Sequence, residues 1–274
     1  MEAVTRHTVW NKVVTRGQAA EILTRGGDLL VGHVVHEADL AAVTEPVDVL
    51  AWHGLAGDER YLEPDGSVFV LRFPQEPLQR FVDPRRRADE RYPLGFLPAP
   101  QPAPVWWLEL TRVPIGTVLW QLRPGAEPTA RAAYRGLALG WQGADGYTPP
   151  HSFVGSRASW AGTELVAARY DGGVEVVSPT PLAGMTQAAT GMWQATGDLP
   201  AYEVLLTARW QGLPVRVIEA RDGRALLALT DPDLRSAATE AGMTEVEPGL
   251  WLAQAERSAL DDVAAVRREP QPAG

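Results

Sequence analysis

Apolar positions change their period along the chain, and the change divides it. The run GQAAEILTRGG (17–27) has helical spacing and closes on Gly26 and Gly27, a favoured helix stop. DLLVGHVV (28–35) then reads as a strand and EADLAAV (37–43) as a helical turn or short helix. VDVLAWHGL (47–55) and SVFVLRF (67–73), rich in β-branched and aromatic residues, predict two further strands. PQEPLQRFVDP (74–84) adds a helical turn, so the pattern predicts an α+β region over residues 1–97.

PLGFLPAPQPAP (93–104) carries five prolines in twelve residues. Such a stretch favours extended polyproline backbone and cannot enter a helix interior. It predicts a linker at 98–104, followed by a β-rich domain over 105–190 and a related module over 191–269. Strand-length apolar runs broken by Gly, Pro and Asp-Gly fill both, from VWWLELTRV (105–113) to RALLALT (224–230). DPDLRSAATEAGM (231–243) reads as a helix, TEVEPGLWLAQA (244–255) as a hairpin around Pro248-Gly249, and SALDDVAAVRRE (258–269) as a last helix. The tail 270–274 is expected to be disordered. The fold class expected is therefore α+β, with antiparallel β modules behind an α+β region.

An internal repeat is visible. WAGTELVAARYDGGVEVVSP (160–179) and WQGLPVRVIEARDGRALLALT (210–230) both run Trp-x-Gly, strand, Asp-Gly, strand. Asp-Gly suits a tight turn because Gly takes positive φ without a Cβ clash. Tyr134-Arg135-Gly136 precedes Asp145-Gly146, and Trp52-His53-Gly54 precedes Asp65-Gly66, at similar distances. Small β modules of one design are thus expected, the pair at 160 and 210 most alike.

Composition narrows the function. The chain has no cysteine, which excludes disulfides and thiolate chemistry. Net charge of −9 argues against a general nucleic-acid binder, whose affinity depends on neutralising phosphates. No apolar run approaches membrane-spanning length, and the start MEAVTRHTVW lacks a secretion-signal pattern, so a cytoplasmic setting is expected. Lys12 is the single lysine among 25 Lys and Arg residues, the bias of a GC-rich genome.

One stretch carries candidate chemistry. YRGL (134–137) resembles the NAD-gripping strand of ADP-ribosyltransferases. The resemblance implies that Arg135 pairs with a pyrophosphate, that the Ser156 strand holds the nicotinamide side, and that Glu203 in AYEVLLTARW stabilises an oxocarbenium-like state. The chain departs from that pattern at Ala201, where a second acid or amide is usual, and at Ser156-Arg-Ala-Ser159 in place of Ser-x-Ser. The repeat accounts for Tyr134-Arg135-Gly136 without a ligand.

Other motifs are weaker. His33, His36, Glu37 and Asp39 lack the His-Glu-x-x-His spacing, and on a strand residues three apart face opposite ways, so no metal is expected. His151-Ser152 and His53 lack a Gly-x-Ser-x-Gly elbow, and no phosphate loop occurs. Ten tryptophans are many for this length. Among them Trp107, Trp141 and Trp193 are candidate binding anchors, because Trp and Arg dominate protein interfaces.

GTELVAARYDGGVEVV together with AGMTEVEPGLWLAQAERSALDDV resembles the C-terminal modules of uncharacterised actinobacterial proteins, some encoded near secreted toxins. The resemblance implies a partner or immunity role and no catalytic residues. The expected function is a non-catalytic, cofactor-free binder of another protein, an immunity-type or inhibitory partner of a toxin-like protein. The alternatives are an ADP-ribosyltransferase-like enzyme using NAD and a chaperone-like or structural component of a secretion system.

Overall fold

The computed structural model describes residues 8–40, 43–82, 104–247 and 249–270. Most of the expected linker at 98–104 and the tail at 271–274 lie outside them.

Two antiparallel sheets account for most of the fold. The first is built from β1 (Val9–Val14), β2 (Leu29–His36), β3 (Val68–Pro74), β4 (Phe81–Val82), β5 (Trp106–Arg112), β6 (Val118–Leu122), β7 (Thr129–Tyr134) and β8 (Trp141–Gln142), in the order β4-β5-β2-β1-β3-β6-β7-β8. The N-terminal region is therefore not a mixed α+β domain: its strands belong to a β-rich fold. Strands on both sides of the 98–104 segment share this sheet, since β5 pairs with β2 and β6 with β3.

Three helices cover the sheet. α1 (Arg16–Arg25) starts at a capping box, where Thr15 and Gln18 exchange side-chain and backbone hydrogen bonds, and stops at Gly26 with φ of 75°. Its Ala19 and Ile22 pack on the face bearing Trp10, Leu71, Phe73 and Leu119. α2 (Glu37–Leu40) is a single turn. α3 (Pro46–Trp52) lies where a strand was expected. Pro46 at the first helical turn sets φ, and Val49 and Leu50 then share one side and bury against Val13, Val68 and Val70 on the opposite sheet face. The β-branched run is overridden by this docking.

The second sheet holds β9 (Ser156–Trp160), β10 (Thr163–Tyr170), β11 (Gly173–Ser178), β12 (Thr186–Gln187), β13 (Trp193–Gly197), β14 (Tyr202–Trp210), β15 (Leu213–Arg221), β16 (Arg224–Leu229), β17 (Thr244–Glu247) and β18 (Leu250–Glu256). Their order is β12-β13-β11-β10-β9-β14-β15-β16-β18-β17. This sheet is one five-strand unit written twice. In each copy three strands form a meander, and a short hairpin returns to pair its second strand with the third strand of the meander. Registers match: Trp160 pairs Thr163 as Trp210 pairs Leu213, and Ser178 pairs Trp193 as Leu229 pairs Trp251. The copies align without a gap over AGMTQAATGMWQA (183–195) and AGMTEVEPGLWLA (241–253). In the second copy α4 (Arg235–Glu240) precedes this hairpin.

The other two aromatic-x-Gly stretches do not form such units. Trp52 ends α3, and Asp145-Gly146 sits in a loop closing the C-terminal end of α1. There Asp145 N donates to Leu23 O at 2.8 Å, Thr148 Oγ1 to Arg25 O at 2.7 Å and Trp141 Nε1 to Gly27 O at 2.9 Å, satisfying carbonyls left open at the helix end. Residues 261–268 are also not helical. They form β19 (Asp261–Arg268), which pairs antiparallel with β14. Backbone pairing with an available strand outweighs the helical spacing of Val263 and Val266.

Candidate functional site

The residues of the transferase pattern separate. Ser156 and Glu203 are register partners on β9 and β14 and both are buried. Arg135 is on the surface, where Nε donates to Gln142 Oε1 at 2.8 Å. The glycine after it has a local reason. Gly136 has φ of 119°, and a Cβ there would lie 2.5 Å from Glu175 Oε2. The bare backbone lets the Glu175 carboxylate accept the N–H groups of Leu137 (2.8 Å) and Ala138 (3.1 Å). Burial raises the Glu175 pKa, and these two bonds oppose the rise.

Glu203 is held by an arginine other than Arg135. Arg216 on β15 places Nη2 2.8 Å from Glu203 Oε1 and donates through Nη1 to Leu110 O at 2.6 Å, crossing to the first sheet. In the reverse direction Arg112 on β5 sits 2.9 Å from Asp28 Oδ2 and donates to His151 O at 2.8 Å. Arg216 thus reaches a carbonyl of the first sheet, and Arg112 a carbonyl of the loop that leads into the second. Glu76, Gln79, Arg112, Ser156 and Glu203 line a cavity of about 10 Å³ between them, the room of a single water and far below that of a dinucleotide. Burial lifts the Glu76 carboxyl to about 7, against the pull of Arg169 and Arg112.

The anchors expected to face a partner lie inside. Trp107 and Trp141 are buried, and Trp193 is half-buried against the core of the first repeat. Trp107 closes on the second repeat: a Cβ on Gly249 would come within 2.1 Å of its Cη2. His36 lies against Trp10 with tilted rings at 3.8 Å and His33 meets Trp107 edge-on at 5.4 Å. Burial lowers the His33 pKa to about 4, Lys12 adding to the effect. Among the described residues no group of three or more His, Asp or Glu side chains could hold a metal.

One concavity had no counterpart in the sequence reading. A groove of about 520 Å³ runs over the α3 face of the first sheet. Val43, Val49, Val70, Trp120 and Leu122 give it an apolar floor. Glu37, Arg72 and Glu127 stand at its polar margin, with Glu37 and Arg72 paired at 2.5 Å. Trp120 Nε1 is buried with no hydrogen-bond partner. The alternation in VLWQL places Trp120 and Leu122 on one face, but only the position of α3 leaves that face partly open.

No protein-family model, curated protein or solved structure matches the chain. No helix among the described residues is long and apolar enough to cross a membrane.

Proposed function

We propose that the protein is a non-catalytic binding protein for another protein, acting in the cytoplasm as an immunity-type or inhibitory partner of a toxin-like protein. The observation that carries this reading is the groove on the α3 face: open, apolar along its floor and lined by two carboxylates against one guanidinium. A segment presenting an apolar side chain next to a basic residue complements it, and the chain's net charge of −9 attracts such a partner at long range. The groups suited to catalysis support the same reading. Glu203 is tied to Arg216, His151 Nδ1 lies 2.7 Å from Glu219, and both ring nitrogens of His53 meet backbone carbonyls.

A photo-crosslinking side chain at position 127, on the groove margin, tests the reading in the native host. The expected result is one discrete protein adduct, absent when the same group stands at position 236 and lost on Leu122→Arg. Adducts that are identical from both positions, or unaffected by Leu122→Arg, overturn it.

A further inference from the structure

β14 covers one edge of β19, and among the described residues no strand pairs with the other. Open edges are usually short, bulged or charged along their length. β19 spans eight residues, Asp261–Arg268, with the sequence DDVAAVRR. Its charges and its bulge, at Asp262–Val263, stand toward the ends, and residues 264–266 in the middle are apolar. All residues from Asp261 to Arg267 are exposed, including Val263 and Val266 at 54% and 47%.

We infer that this edge pairs antiparallel with the same edge of a second copy, giving a symmetric dimer. The order of charges makes the strand complementary to itself: reversing one copy sets two acids against two arginines. The pairing also obeys the side-chain faces. A two-fold axis perpendicular to the sheet requires a residue to oppose its own counterpart, since opposed residues share a face. The break in register between Thr207 and Arg209 makes Asp262 and Val263 occupy one ladder position, with Asp262 at φ of 51°. With Ala265 on the axis, Ala264 meets Val266 of the second copy. The Asp262–Val263 bulge then meets Arg267 of the second copy, and Asp261 meets Arg268 of the second copy. Without the bulge the same centre would set Asp261 against Glu269.

Asp262 and Arg267 are the discriminating pair, because Arg268 already lies 2.6 Å from Glu109 and 3.9 Å from Glu203. Asp262 has only a loose contact with Arg209, at 3.6 Å. Arg267 lies over the Tyr202 ring at 3.6 Å and pairs with Glu269, which fixes its position without burying its charge. The surface is on the second sheet and its occupancy is independent of the groove described above.

Sedimentation equilibrium tests the inference on the whole chain. The wild-type protein should show twice its 29.7 kDa mass. Asp262→Arg and Arg267→Asp should each be monomeric with unchanged circular dichroism, and an equimolar mixture of the two should recover the dimer. The absence of cysteine allows a second readout. Ala265→Cys should form a disulfide-linked dimer on mild oxidation, whereas Ser236→Cys should not. A monomeric wild type, or a dimer that survives both charge reversals and gives no Ala265→Cys crosslink, overturns the inference.

Discussion

Gly191 and Gly249 hold the same position in the two copies of the repeat, one residue before the Met192-Trp193 and Leu250-Trp251 pairs, with φ of 89° and 84°. Their surroundings differ. A Cβ on Gly191 would touch nothing within 4 Å, while one on Gly249 would collide with Trp107 of the first sheet. Gly191→Ala should therefore cost only the strain of a left-handed alanine, about 1 kcal/mol. Gly249→Ala must also displace a buried tryptophan and should cost 3 kcal/mol or more, on the order of a disrupted core. Urea unfolding of the two variants measures the difference. Equal losses would mean that Trp107 does not fasten the second repeat.

Lys12 on β1 and Glu247 at the end of β17 make a second fastening, with Nζ 2.7 Å from Oε2 and side-chain exposures of 3% and 1%. In a chain that otherwise uses arginine, the compact ammonium is what this enclosed position accepts. Removing one partner strands a buried charge, so Lys12→Met should destabilise by about 3–5 kcal/mol. The double change Lys12→Met with Glu247→Met should recover most of that loss, because an apolar pair of similar size leaves no charge unpaired. A double mutant as unstable as the single one would show that packing, and not charge, sets the cost.

The strands of the repeats were legible because tight turns have strong local signals. Asp222-Gly223 takes positive φ at both turn positions, as its residue types favour, and Gln211-Gly212 does so with only its glycine favouring it. The match between 183–195 and 241–253 is equally present in the sequence, whereas the Asp-Gly spacing at 65 and 145 marks no such unit. α3 and β19 depart from the expected strand and helix for one reason. VDVLAW and DDVAAVRR each satisfy either period, and the choice is made by what lies beside them: an exposed sheet face for α3 and an unpaired edge of β14 for β19. The groove was not legible at all, since it depends on how far α3 covers Trp120. Ser156 and Glu203 were named in the sequence and do meet, but the third member, Arg135, is replaced at the carboxylate by Arg216, whose strand carries no transferase signature.

That replacement predicts the response to NAD. Arg135 faces solvent, Glu203 is ion-paired with Arg216, and the cavity beside Ser156 holds about 10 Å³. Millimolar NAD should produce neither heat in a calorimetric titration nor a rise in melting temperature. Micromolar binding abolished by both Arg135→Ala and Glu203→Gln would restore the enzyme reading.

The pH dependence of stability should show opposed contributions from named groups. Burial depresses His33 and His53 to about 4, so the unfolded chain takes up their protons between about pH 6.5 and 4 and the folded chain does not. Stability from these two is complete above the unfolded value and is lost as pH falls. Glu76 acts the other way. Its folded pKa of about 7 keeps a proton that the unfolded chain releases above about 4.5, so its contribution is lost as pH rises through that window. Glu175 and Glu247, raised by burial, act with Glu76, and His36, lowered by burial, acts with the other histidines. Glu76→Gln should therefore steepen the slope of stability between pH 4.5 and 6.5 by about one proton, about 1.4 kcal/mol per pH unit, and His53→Gln should flatten it by as much. Urea midpoints between pH 4 and 7.5 give these slopes directly. A profile that Glu76→Gln leaves unchanged would show that water reaches that carboxylate and that its proton is not held by the fold.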